Sequence, residues 1–224
     1  MTYDKDLSVL PMKSYSFSKS LMFVSLIQNE VARAAFDYPV IIAKTQEDIF
    51  PVALLSLREN DNLFVNGKGT WEKEFHVPSF IKTYPFIVTQ PEWNKESKVL
   101  YDKSYKGINK KDPDAIEIIK DGRLTETGKK VMENLKAQYA NFEKTRQIFT
   151  VINNLGLLKE IDVRLLGEDG KHNQLLKGFY QVDVEKLNNL EDEKLLMLAK
   201  NGILSLIHFH LASLGNIEKL INRL

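Results

Sequence analysis

The stretch "DYPVIIA" at residues 37–43 sets a Tyr-Pro pair directly before an apolar, largely β-branched run, and "TYPFIVT" at residues 83–89 repeats that order. Proline lacks a backbone donor and fixes φ, so it suits the first residue of a strand or an edge. The β-branched run behind it favours a pleated, half-buried surface. Both pairs are therefore predicted to begin strands, with Tyr38 and Tyr84 turned inward. The two stretches share little else, so no internal repeat is read from them.

Working outward, residues 38 to 100 are strand-like: "YPVIIAK", "FPVALLSL", "NLFVNGKGTWEKEF" and "YPFIVT" are short apolar or alternating runs, with Pro39, Pro51 and Pro85 each expected to lead one. Asn66-Gly67 suits a tight hairpin, because both residues accept positive φ. The neighbouring "GKGT" is not a phosphate loop. That motif needs Ser or Thr directly after Gly-Lys and a glycine five residues earlier, where Asn62 stands. Residues 1–36 read as a lead-in, and residues 101–124 as an exposed connection rich in Lys and Asp.

From residue 125 the period changes. Thr125 is a good cap for a long helix running to about residue 155, where Gly156 offers a left-handed stop. Met132, Leu135, Tyr139, Phe142 and Phe149 recur at steps of three and four, the stripe by which a helix faces a core. The stripe predicts an apolar residue at 146, yet Arg146 stands there. A guanidinium facing a core needs a carboxylate, carbonyls or a bound anion, unless its stem packs and its head reaches water. Two strand-like runs follow around Glu168-Asp169-Gly170, a plausible hairpin, and the chain closes in helices broken at Asn201-Gly202 and Gly215-Asn216. The expected fold class is α+β, one domain over 1–224, with a β-rich part at 37–100 packed against a mainly helical part at 125–224 that contains a hairpin.

Composition excludes several functions. Of 224 residues, 31 are Lys or Arg and 30 Asp or Glu, so a formal charge of +1 supplies no global attraction to nucleic acid. There are no cysteines, hence no disulfide, thiolate metal site or cysteine nucleophile. The apolar patch at residues 21–27 is short, interrupted by Ser25 and followed by Glu30, unlike a signal peptide. No window reaches the roughly 18 apolar residues of a membrane span. These features predict a soluble, cytoplasmic protein.

Several side chains suggest chemistry, and each also has a plainer role. His208 and His210 lie two apart, about 200° around a helix, so they cannot share one ion unaided. No metal or cofactor is expected. His210 falls among Ile203, Leu206, Ile207, Leu211 and Leu214, where a histidine is commonly neutral and hydrogen-bonded. Tyr38, Trp71, Tyr84 and Phe86 could form a stacking wall for a sugar or peptide, though core packing is the plainer reading. The carboxylates of "LEDEK" suit a helix N-terminus. "KSYSFSKS" lacks a nucleophile elbow. No catalytic residue is assigned, and the binding candidates are Arg146, His210, Tyr38, Trp71 and Tyr84.

Five blocks, "YPVIIA", "PVALLSLRENDNLFVNGKGTW", "VPSFIKTYPFIV", "KGFYQVDVEKLNNL" and "NGILSLIHFHLASLGNIEKLI", stand in an order and spacing that resemble the SapC family of bacterial surface-layer-associated proteins. The resemblance runs from about residue 37 to 224. It departs at "VLYDKSY", where related sequences often carry a Cys-Ile-Asp-like strand, so no role for that thiol carries over. What the resemblance implies is a non-catalytic protein tied to the surface layer or its assembly, with surface-layer or envelope proteins as partners. Two other readings stay open. One is a cytoplasmic small-molecule or peptide-modifying enzyme, or its accessory, using Arg146 and His210 where the β half meets the helices. The other is a peptide-binding module using an exposed strand edge. Oligomeric state is not legible.

Overall fold

The computed structural model describes residues 5–46, 48–89, 98–109, 111–161, 163–166, 172–176 and 178–224. In chain order come β1 (Leu7–Val9), a 3-10 turn at Ser16–Ser18, β2 (Phe23–Ser25), α1 (Gln28–Asp37), β3 (Val40–Lys44) and β4 (Ile49–Leu54). There follow α2 (Ser79–Lys82), β5 (Phe86–Thr89), β6 (Lys98–Tyr101), β7 (Ile116–Lys120), β8 (Arg123–Leu124) and the long α3 (Glu126–Asn154). Then come β9 (Leu158–Glu160), β10 (Val163–Leu166), β11 (His172–Leu176), β12 (Phe179–Val182) and the helices α4 (Val184–Asn188), α5 (Asp192–Lys200), α6 (Ile203–Ser213) and α7 (Asn216–Ile221). The class is α+β, with a helical C-terminal half.

The Tyr-Pro reading holds: Tyr38-Pro39 leads into β3 and Tyr84-Pro85 into β5. β3 and β4 pair antiparallel from Val40↔Ala53 to Lys44↔Ile49 and sit in a five-stranded sheet of order β2-β4-β3-β12-β9. Their apolar residues run on without alternation because both faces are covered. Ile41 and Ala43 join a cluster with Val31 and Ala34 of α1, whereas Ile42 joins Phe149 and Ile152 of α3 and Ile203 and Ile207 of α6. Full burial of each such side chain is worth about 1.5–3 kcal/mol.

The two parts share one sheet, since β9 and β12 come from the C-terminal part and β12 pairs with β3 through Tyr180↔Ile42. β10 and β11 form a separate antiparallel ribbon. The expected turn at Glu168-Asp169-Gly170 lies outside the described residues.

The lead-in expectation for 1–36 is overturned. β2 pairs with β4, and Leu26 and Val31 are fully buried. The apolar patch at residues 21–27 supplies the edge strand β2 and the Ile27 cap of α1. The exposed connection is likewise structured in part: β7 pairs with β1 on one side and β8 on the other, and Ile118 and Ile119 are buried in a cluster with Leu7 and Val9. Pro51 lies inside β4 instead of leading it. Its carbonyl accepts from Leu26 N at 2.9 Å, just past the end of β2, so its missing donor falls where the neighbouring strand stops. The Asn66 turn closes on a single bridge, Val65↔Trp71, and Gly69, not Gly67, takes the positive φ, at 74°.

α3 begins as expected, with Thr125 Oγ1 accepting from Gly128 N at 2.9 Å, and Gly156 follows it at φ 70°. Gly128 is required by a close approach: a Cβ there would stand 2.1 Å from the Ile118 carbonyl oxygen of β7. That approach brings α3 down onto β7 and beside β5.

Candidate binding groove

A groove of about 490 Å³ lies between the β5–β6 ribbon and α3. Pro85 and then Phe86, Ile87 and Val88 of β5 line it, together with Leu135, Gln138 and Tyr139 from α3 and Phe80 from α2. A smaller depression of about 260 Å³ shares Thr83, Tyr84, Pro85, Phe86 and Leu135 with it. Both are mainly apolar, the usual character of a ligand site with a few placed polar groups.

Those polar groups come from three elements. Tyr84 Oη donates to Asp102 Oδ2 at 2.8 Å, and Asp102 Oδ1 accepts from Ser104 N at 2.8 Å. The bonds from Ser104, then that from Tyr84, hold the Asp102 carboxyl below its ordinary value, while burial and the bond to Asp102 push the Tyr84 phenol up. The Tyr84 ring stacks on Phe17 at 3.8 Å and 9°. From α3 comes Gln138, whose Nε2 is buried with no hydrogen-bond partner among the described residues.

A strap positions α2 and the start of β5. Glu30, the third residue of α1, is 6% exposed; its Oε1 accepts from Ile27 N at 3.1 Å. Its Oε2 accepts from His76 Nε2 at 2.9 Å, Ser79 N at 2.9 Å and Ser79 Oγ at 2.8 Å. Burial alone would push this carboxyl up, but the bonds from His76, Ile27 and Ser79 together hold it below its ordinary value. Asp37 Oδ2 accepts from His76 N at 2.7 Å. A serine, a histidine and a carboxylate thus meet, but the hydroxyl and the imidazole both bond the carboxylate. The serine hydroxyl is directed to Glu30 and not to His76, and the arrangement fastens residues 76–79 to α1.

The residues singled out from sequence are spread over separate environments. Tyr38 and Trp71 meet in the core: Trp71 Nε1 donates to Tyr38 Oη at 3.2 Å, and Tyr38 donates to the His76 carbonyl at 2.5 Å. Burial pushes the Tyr38 phenol well up. Tyr84 and Phe86 line the groove instead, so the four aromatics do not form one wall. Arg146 is paired with Asp48 and with Glu143, whose Oε1 is 3.0 Å away, and its side chain is 32% exposed.

His210 belongs to a different network. It is 1% exposed and stands where β3 and β12 part: Nδ1 donates to the Val40 carbonyl at 2.6 Å and Nε2 accepts from Val182 N at 3.0 Å. Burial depresses its pKa to about 4, so the ring is neutral. His208 is exposed, on the other side of α6.

Glu30, His76, Ser79, Asp102 and Gln138 were not picked out from sequence. Glu30 alone left a local signal, three residues after Ile27 at a helix start. The others are ordinary polar residues until the fold gathers them.

Among the described residues no single helix is long and apolar enough to cross a membrane. No curated protein and no solved structure matches the chain. The SapC family model matches residues 3–220, nearly the whole length, and its reach includes α1, the strap, the groove and α6. The chain belongs to the SapC family.

Proposed function

We propose that this SapC-family chain is a non-catalytic binding protein that serves the bacterial surface layer, as a component or as a cytoplasmic factor that handles its subunits, and that it holds its partner in the groove beside β5. Family membership across residues 3–220 supports the surface-layer link. The observation that carries the binding role is the groove itself, an apolar trough of about 490 Å³ whose Gln138 Nε2 has no hydrogen-bond partner among the described residues. The strap is read as structural, because His76 and Ser79 both donate to the one Glu30 oxygen and so tie residues 76–79 to α1.

The test is direct titration of the purified chain with soluble surface-layer subunits from the same cells. Saturable binding that is weakened by Leu135→Lys supports the proposal. Absence of binding, together with unchanged surface-layer assembly in cells lacking the gene, overturns it. Cell fractionation reads the cytoplasmic placement separately.

A further inference from the structure

The backbone register of β5 shows which of its groups face β6 and which face outward. Asp102 N donates to the Pro85 carbonyl at 2.9 Å, and the ladder continues as Phe86↔Tyr101, Ile87↔Leu100 and Val88↔Val99. Hydrogen-bonded and non-bonded pairs alternate in an antiparallel ladder. Pro85 and Ile87 therefore face β6, while Phe86 and Val88 turn their backbone groups away from it. The Phe86 N–H is used by the Thr83 carbonyl at 2.8 Å. The N–H and C=O of Val88 remain on the outer edge, and among the described residues β5 pairs with β6 alone. Val88 lines the groove, and α3 stands across it.

We infer that the groove receives an extended polypeptide segment of the partner, which pairs its backbone with β5 at Val88 and offers a carbonyl to the Gln138 amide. This deepens the binding role proposed above and rests on it. A strand edge with outward-facing N–H and C=O selects an extended backbone, the mode in which a peptide is added to a sheet. Gln138 Nε2 is the independent observation: a buried donor without an acceptor is uncommon, and rotation of its amide towards a peptide carbonyl satisfies it. The site is also elongated, since the two depressions share Thr83 to Phe86 and Leu135. Ile87 and Leu100 lie opposite each other on the ribbon, 57% and 50% exposed, where alternate side chains of an added segment find apolar contact.

Selection of short random peptides on the immobilised chain, followed by resynthesis of the enriched sequences, tests the inference. Enriched peptides should alternate apolar and polar residues. N-methylation of alternate backbone amides should weaken them on the order of tenfold, as the loss of one or two backbone hydrogen bonds requires. Because that arm alters the peptide, it is independent of protein folding. In the chain, Val88→Pro removes an N–H that makes no bond to β6 and should give a similar loss, and Gln138→Leu a smaller one. Failure to enrich any peptide, or binding indifferent to N-methylation and to Val88→Pro, overturns the inference. Surface-layer subunits that bind equally well to Val88→Pro also overturn it while leaving the proposed function standing. Edge-dependent peptides without subunit binding do the reverse.

Discussion

His210 of α6 is inserted between β3 and β12, bonded through Nδ1 to the Val40 carbonyl and through Nε2 to the Val182 N–H. At this position the imidazole takes the place of strand-to-strand hydrogen bonds at the end where the two strands separate. Ser213 Oγ completes the join by accepting from Val40 N at 2.9 Å. One helix thereby satisfies both backbone groups of Val40.

The neutral state of His210 makes stability depend on pH. Its folded pKa, about 4, lies below the ordinary value of 6.5, so the unfolded chain binds the extra proton between these values. The contribution is fully present above about pH 6.5 and is lost as pH falls towards 4, on the order of 3 kcal/mol in all. His210→Leu should remove that part of the slope. It should also cost about 2–4 kcal/mol at pH 7 by stranding the Val182 N–H. Urea unfolding of both proteins at pH 7 and pH 5 measures it, and equal slopes would refute the assignment.

Glu30 acts in the same direction at lower pH. Its folded pKa is held below 4.5, so its contribution is present above that value and lost as pH falls below it. Glu30→Ala leaves His76, Ser79 N and Ser79 Oγ without their acceptor and should cost about 3 kcal/mol. Amide exchange should quicken first at Ser79 and in α2. Unchanged protection there would show that the strap does not hold the groove wall.

Gly128→Ala sets two effects against each other. Alanine favours a helix interior by about 1 kcal/mol. A Cβ 2.1 Å from the Ile118 carbonyl forces α3 and β7 apart, which costs about 1–3 kcal/mol. Net destabilisation is expected, read as a lower melting temperature. A higher one would disprove the close approach.

Arg146→Met removes a guanidinium paired with Asp48 and Glu143, but the three side chains are 32 to 34% exposed and water screens them. The expected cost is about 1 kcal/mol, with no change in peptide binding. A loss of several kcal/mol would mean that the pair is more enclosed in solution. A loss of binding would place Arg146 in the site.

Local rules carried part of this reading. The Tyr-Pro strand starts, the Thr125 cap and the Gly156 stop were legible because each depends on residues within a turn of one another. Pro51 was misplaced because its position depends on where β2 ends, a fact of strand pairing and not of the stretch around it. The helical wheel put His210 on the apolar face, as found, but could not name Val40, 170 residues away, as its partner.

The α+β class, the long capped helix and the family were legible from the residues alone, since periodicity, caps and the order of motif blocks are properties of the chain read in line. Three features came from packing across the chain: residues 5–36 build part of the core, Tyr38 and Trp71 are interior while Tyr84 borders a groove, and Glu30, His76 and Ser79 form one network. A buried polar group must find its partner somewhere, but hydrogen bonding constrains distance in space and leaves separation along the chain free. Glu30 and His76 lie 46 residues apart, and only the packing of α2 against α1 brings them within 2.9 Å.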